Sequence, residues 1–112
     1  MKIVIYASTP SKKNSRINTR SGRSFPSTKY TAWHKDASLQ LRGVKHFDTD
    51  RLVITFVAGD KRKFDLTNKA ESIMDLLVDN GLIEDDNYSV IPELTLRYGG
   101  YEKGNPHAII EY

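Results

Sequence analysis

The sequence predicts an α/β (α+β) fold with a small mixed β-sheet and two main helices. Apolar residues recur at helical spacing in two segments. Four further segments are short and rich in β-branched or aromatic residues, as strands are. The resulting order, β-α-β-α-β-β, is typical of helices packed against one sheet. The 112 residues fit one domain, and we expect a single domain over 1–112.

Strands are predicted where segments rich in β-branched or aromatic residues are bounded by turn-forming residues. Residues 2–8 form the first of them, and 90–98 and 107–112 the last two. Residues 52–58 are apolar throughout, which predicts a strand that is covered on both faces. The segment 99–106 is rich in Gly and Pro, so we expect it to be a hairpin loop between the last two strands.

The first helix is expected to begin at Ser27 or Thr28, since either hydroxyl can cap a first turn, and to end near Gly43. Its apolar stripe is Tyr30, Trp33, Ala37 and Leu41. The second helix is expected to begin at Asp65 or Thr67 and to end at Gly81. Its apolar stripe is Ala70, Ile73, Met74, Leu77 and Val78.

Charge is distributed very unevenly along the chain. Residues 1–63 carry a net charge of +10 and residues 64–112 a net charge of −7, within a total of +3. This split favours a basic surface for a polyanion and a separate acidic site, although scattered, solvated charge would give the same totals. The chain has no cysteine, which excludes disulfides and thiolate metal sites and fits a cytoplasmic location. No apolar run approaches the roughly 20 residues of a membrane span.

Carboxylates are concentrated between residues 65 and 86. Glu71, Asp75 and Asp79 are four residues apart and therefore share one helical face, where like charges destabilise a helix slightly. A divalent cation or a basic neighbour would compensate. Asp65 lies at the helix entrance, and Asp85 and Asp86 follow the helix. If the next strand returns beside the entrance, Asp65 and Asp86 can converge; otherwise the segment is a solvated acidic face.

The segment 9–23, which we call the basic arm, has five basic residues and no acidic one. It belongs to a stretch, 9–26, that is rich in Ser, Asn, Gly and Pro and is predicted to be a loop of unusual length. Its side chains suited to phosphate contacts are Lys12, Lys13, Asn14, Arg16, Arg20 and Arg23. The alternative is a solvated linker.

A second basic cluster, Lys61, Arg62 and Lys63, directly precedes Asp65. It suits a phosphate held beside a carboxylate site, or it is an ordinary strand-to-helix turn. Tyr98 and Tyr101 flank the predicted hairpin loop. They could stack on a base, or contact the core or a second copy of the chain.

The acidic segment resembles the signature of the RusA family of Holliday junction resolvases. In that family an Asp-x-Asp-Asn element opens a helix that continues to an Asp, a Gly and a closing Asp-Asp pair. The matching residues here are Asp65, Asn68, Asp75, Gly81, Asp85 and Asp86. In the basic arm and the helix that follows it, the matches are Pro10, Ser11, Asn14, Gly22, Arg23, Ser27 and Tyr30. Together the two blocks cover roughly residues 3–91.

The resemblance implies that Asp65 and Asp86 bind a catalytic Mg²⁺, for which Mn²⁺ could substitute. Two residues depart from the pattern: Thr67 stands in place of the second Asp, and Glu71 in place of a basic Lys. We expect Glu71 to supply the replacement carboxylate, assisted by Asp75 or Asp85. Lys69 could take over part of the phosphate contact. The departures indicate a divergent, phage-like branch or a weakened enzyme.

The function expected from the residues and the resemblance is a metal-dependent endodeoxyribonuclease that resolves branched DNA in recombination and repair. The resemblance also implies a homodimer, because symmetric cleavage of a four-way junction needs two sites related by a two-fold axis. One alternative is a DNA-binding module of the same fold that does not cleave. Another is an interaction protein whose acidic helix docks a basic partner.

Overall fold

The structure, a computed structural model, describes the backbone of residues 1–11, 16–18 and 24–112, and the side chains of 1–11 and 27–112. The elements are β1 (Lys2–Ile5), β2 (Arg16–Asn18), β3 (Ser24–Pro26), α1 (Thr28–Gln40), β4 (Arg51–Ala58), α2 (Leu66–Asp79), β5 (Glu93–Tyr101) and β6 (His107–Glu111). The predicted mixed fold with two helices is confirmed. One prediction is wrong, because the stretch 9–26 contains two short strands, β2 and β3, which pair antiparallel.

The main sheet has the strand order β1-β6-β4-β5. β4 and β5 are parallel and are connected through α2, whereas β6 runs antiparallel to both β1 and β4. The predicted hairpin between the last two strands is therefore wrong, since β4 lies between β5 and β6. The loop after β5 instead bonds to the end of β4, where Glu102 N–H donates to the carbonyl of Ala58 at 2.8 Å.

The core lies on one face of this sheet. On β4, Leu52, Ile54 and Phe56 are buried, whereas Val53 and Val57 on the opposite face are half-buried. The buried residues of the strands and of both helices form a single cluster. The prediction that β4 is covered on both faces is therefore wrong. An apolar side chain on a half-covered face looks the same in sequence as one in the core.

Helix α1 begins and packs as its sequence predicts. The Ser27 hydroxyl caps it by accepting from the Tyr30 N–H at 3.1 Å, a contact typically worth about 1 kcal/mol. Trp33, Ala37 and Leu41 are buried. The helix ends at Gln40, and Gly43, with φ of +81°, lies in the turn that follows.

Helix α2 is joined to α1 by polar contacts near its carboxyl end. His34 Nε2 lies 2.9 Å from Asp79 Oδ2, so a hydrogen bond joins the two side chains. One turn away, the Asn80 amide donates to the Ser38 hydroxyl at 3.1 Å. These bonds fix the carboxyl-terminal half of α2 against α1.

Helix α2 also holds the start of the basic arm. The hydroxyl of Ser72 is fully buried and donates to the carbonyl of Pro10 at 2.7 Å. Thr9 and Pro10 are themselves buried. The first residues of the basic arm are therefore packed beside α2.

No helix in the described parts of the chain is both long enough and apolar enough to span a lipid bilayer.

The one-sided core can be tested with neighbouring isoleucines of β6. Ile110 is fully buried and Ile109 is half-buried on the opposite face. Ile110→Ala is expected to lower the free energy of unfolding by about 2–5 kcal/mol, the usual cost of a core cavity. Ile109→Ala, the matched control, is expected to cost less than half as much. Urea denaturation measures both, and equal losses would contradict the one-sided core.

Candidate nucleic-acid interface and carboxylate cluster

A groove of about 910 Å³ lies where the parallel strands β4 and β5 end. We call it the α2 groove, because the amino-terminal end of α2 forms part of its wall. Its lining residues are Ser11, Asp60, Lys61, Arg62, Lys63, Phe64, Asp65, Leu66, Asn68, Lys69, Tyr98 and Tyr101. Ligands of open α/β sheets commonly bind outside the carboxyl ends of parallel strands. The topology of β4, α2 and β5 thus creates a candidate site.

Cationic side chains surround the α2 groove. Arg62 is fixed by Asp60, because its Nε and Nη2 lie 3.1 Å and 2.9 Å from Asp60 Oδ2. The same hydrogen bonds lower the pKa of Asp60. Lys61 and Lys63, the residues before and after Arg62 in the chain, are exposed. The predicted second basic cluster therefore lines a groove with its cations accessible to an anion.

Lys69 adds a half-buried cation to the same groove. Its Nζ lies 4.3 Å from the centre of the Phe64 ring, a cation–π contact. Burial lowers the pKa of Lys69; the charge of Asp60 opposes this shift, whereas the charges of Lys29 and Arg62 add to it. An anion in the groove would relieve both effects. Lys69 therefore lines the same groove as the second basic cluster, and its phosphate contact stays a prediction.

Asp65 directly precedes the first turn of α2, but its side chain does not cap the helix. It occupies the N-cap position, yet its side chain accepts no hydrogen bond from the backbone of the first turn. The Asn68 amide instead donates to Asp65 Oδ2 at 3.2 Å. The carboxylate is therefore oriented by Asn68 and remains exposed in the groove, near the positive end of the helix dipole.

Three other predicted site residues, Asp75, Asp85 and Asp86, form what we call the carboxylate cluster. The pKa of Asp86 is raised by partial desolvation, by a hydrogen bond with Asp85, and by the negative charges of Asp85 and Asp75. Asp85 is held by two donors, the Asp86 N–H at 2.7 Å and the Asn87 amide at 3.1 Å. Like charges held together in this way attract a cation.

The two carboxylates that the sequence analysis expected to converge, Asp65 and Asp86, have different neighbours among the described residues. Asp75 lies ten residues beyond Asp65, which is about 15 Å along a helix. No interaction recorded for the described residues joins Asp65 to Asp86, so their convergence stays a prediction. Glu71 lies on α2 between Asp65 and Asp75 in the sequence, and it is exposed. No three Asp, Glu or His side chains among the described residues are arranged to hold a metal ion.

The cationic side chains of the basic arm lie outside the described residues. These are Lys12, Lys13, Arg16, Arg20 and Arg23, together with the amide of Asn14. The described part of the arm reaches the α2 groove, since Ser11 belongs to its lining. The described start of the arm therefore lies at the groove.

Sequence reasoning missed part of the groove. It assigned no role to Asp60 or Phe64, and it left Tyr98 and Tyr101 open between base stacking and packing. The adjacent glycines Gly99 and Gly100 were the available signal, because paired glycines inside a strand often mark a bulge.

No protein-family model matches the chain, and no curated protein matches it either. The resemblance to the RusA family therefore stays a prediction.

Repulsion between the carboxylates of the cluster predicts that Asp86→Asn stabilises the metal-free protein at neutral pH. A raised pKa means that folding disfavours the ionised Asp86, so its charge costs stability above that pKa and the cost disappears as protonation proceeds. The gain in Tm at pH 7 is expected to be on the order of 1–2 °C, as for relief of like charges at a surface.

This gain should shrink as the pH falls below the pKa of Asp86. Thermal melts in EDTA between pH 3 and pH 7 measure it. Asp50→Asn, at an exposed position outside the cluster, is the matched control and should show no such gain. A lower Tm for Asp86→Asn at pH 7 would contradict repulsion within the cluster.

Proposed function

We propose that this protein is a metal-dependent endodeoxyribonuclease that acts on branched DNA. The observation that carries the proposal is the α2 groove, whose lining combines Lys61, Lys63 and Lys69 with the exposed carboxylate of Asp65. A site that hydrolyses a phosphodiester needs cations to hold the phosphate and carboxylates beside them. The lining of the groove contains both kinds of side chain.

The charge of the groove favours a nucleic acid over a small anion. Arg62 and three lysines lie along it, and the basic arm with its five further cations begins at its edge. An extended row of cations matches a polyphosphate backbone, whose binding releases condensed counterions. DNA is the substrate implied by the RusA resemblance.

The carboxylates available for a metal ion are divided between two places. Mg²⁺ often takes only one or two protein carboxylates and completes its shell with water and substrate phosphates. Asp86 with Asp75 or Asp85 offers one concentration of negative charge, and Asp65 offers a second position, in the groove. When bound there, Mg²⁺ or Mn²⁺ would activate water and neutralise charge on the attacked phosphate.

A homodimer is part of the proposal, because a four-way junction presents two equivalent strands for cleavage. Two copies related by a two-fold axis would offer each strand one α2 groove. The expected location is the cytoplasm, where the DNA of a phage or a bacterium is recombined.

Cleavage is tested with a fluorescent synthetic four-way junction, incubated with protein and Mg²⁺ and analysed on a denaturing gel. The wild type is expected to nick it. Asp65→Asn and Asp86→Asn are each expected to slow nicking by at least the roughly 10–100-fold typical of disturbed metal sites. Asp50→Asn is the control, expected to cleave normally. A wild type that does not nick in Mg²⁺ or Mn²⁺ would overturn the enzyme proposal.

A second candidate is a DNA-binding module of the same fold that does not cleave. It is favoured by Thr67 and Glu71 at positions where the resemblance expects Asp and Lys. The cleavage experiment separates the two candidates, because this one predicts binding to the junction without a nick in either metal.

Both candidates predict that the lysines of the α2 groove contribute ion pairs with phosphate. Lys61→Ala and Lys63→Ala are each expected to reduce the slope of log K against log salt concentration by about 0.9 for duplex arms. Lys2→Ala is the control, since β1 lies at the opposite edge of the sheet from β5. Anisotropy titrations between 50 and 200 mM salt, roughly the range over which such affinities fall steeply, measure the slopes. Unchanged slopes in both variants would remove the groove from the DNA interface.

A further inference from the structure

Tyr98 and Tyr101 lie on the same side of the sheet although they are three residues apart in one strand. In a regular strand, residues three apart point to opposite faces. Here Tyr98 pairs with Phe56 and Tyr101 with Ala58, so two residues of β5 face the single Val57 of β4. This β-bulge inserts one residue and turns both tyrosines into the α2 groove.

The residues of the bulge are glycines for steric reasons. Gly100 has a φ of +95°, which is costly for any residue with a Cβ. A Cβ on Gly99 would lie 2.7 Å from the Thr55 Cγ2 and 3.0 Å from that of Val57. The Gly99-Gly100 pair therefore fixes the bulge, and through it the direction of the two tyrosines.

Both tyrosines are exposed to solvent, and each also contacts a neighbouring side chain. Tyr98 is 58% exposed and Tyr101 44%. The Tyr98 ring meets Phe64 edge-on at 6.1 Å between centroids, and Phe64 in turn meets the buried Phe56 at 6.4 Å. Lys61 Nζ lies 5.7 Å from the Tyr101 ring centre. The groove thus has a floor of aromatic side chains, with cations at its edge.

We propose that this floor, the tyrosine platform of Tyr98, Tyr101 and Phe64, stacks an unpaired nucleobase. The inference rests on the proposed binding of DNA but not on its cleavage. Double-stranded DNA presents phosphates and groove edges, and neither needs an apolar floor. A base released from its partner exposes a flat aromatic face, which stacks on tyrosine while cations hold the adjoining phosphates. The platform selects the unpaired nucleotides of a branched or single-stranded substrate.

A second copy of this chain is the other occupant that such a floor could take. Charge disfavours it, because the cations that line the α2 groove would meet the same cations of the copy in a two-fold contact. A polynucleotide strand brings the opposite charge and an aromatic face together. The nucleic acid is therefore the occupant that fits both features.

The test compares two labelled strands of equal length and charge, an oligothymidylate and an abasic deoxyribose-phosphate strand, by anisotropy at one salt concentration. The wild type is expected to bind the oligothymidylate about 5- to 100-fold more tightly, which is the usual effect of stacking one base. Tyr98→Ala and Tyr101→Ala are expected to reduce this preference towards unity. Tyr98→Phe and Tyr101→Phe are expected to keep it, because stacking needs the ring and not the hydroxyl.

Tyr88→Ala is the matched control, since Tyr88 is 85% exposed and does not line the groove. It should leave the preference unchanged. Equal affinity of the wild type for both strands would overturn the platform. So would tyrosine variants that retain the preference, or that alter only the oligomeric state in sedimentation, since the floor would then be an interface between copies.

The outcomes separate this inference from the proposed function. Salt-sensitive binding of both strands without a preference for bases would overturn the platform and leave DNA binding intact. A clear preference for bases without any nicking of a junction would support the platform and overturn the endonuclease.

Discussion

The parallel pairing of β4 with β5 is the constraint on which the rest of the site depends. A parallel pair needs a crossover, and α2 provides it. Because both strands then end at the same edge of the sheet, the loop that carries Lys61 to Lys63 meets the tyrosines of β5 there. The helix begins at that edge as well, which brings Asp65 to the same groove. An antiparallel hairpin at this position would have separated the cations from the aromatic floor.

The two ends of α2 carry different side-chain groups. At its amino-terminal end, Asp65 lies in the α2 groove with the lysines of the lining, near the positive end of the helix dipole. At its carboxyl-terminal end, His34 contacts Asp79, and partial desolvation together with Asp85 and Asp75 raises the pKa of Asp86. The uneven charge of the sequence is therefore arranged in space as a groove lined by cations and a cluster of carboxylates.

Patterns that act within one element could be predicted from the sequence. Ser27 caps α1, and Trp33, Ala37 and Leu41 form its buried stripe, because capping and helical periodicity depend on neighbouring residues only. The neighbours of β5 could not be predicted, because a loop rich in Gly and Pro fits a hairpin as well as a crossing over the end of β4. Likewise, Tyr98 and Tyr101 share a face only because a bulge pairs two residues with Val57. The proximity of Asp75 to Asp86 depends on the path of the chain after α2, which no local pattern determines.

The buried bond between Ser72 and Pro10 connects the acidic helix to the basic arm. Ser72 lies on α2 between Glu71 and Asp75, and its hydroxyl fixes the backbone from which the arm extends. A solvated linker would need no such anchor, because its first residues would be exposed rather than buried with Thr9 and Pro10. The anchor therefore places Ser11, the next residue along the arm, in the lining of the α2 groove.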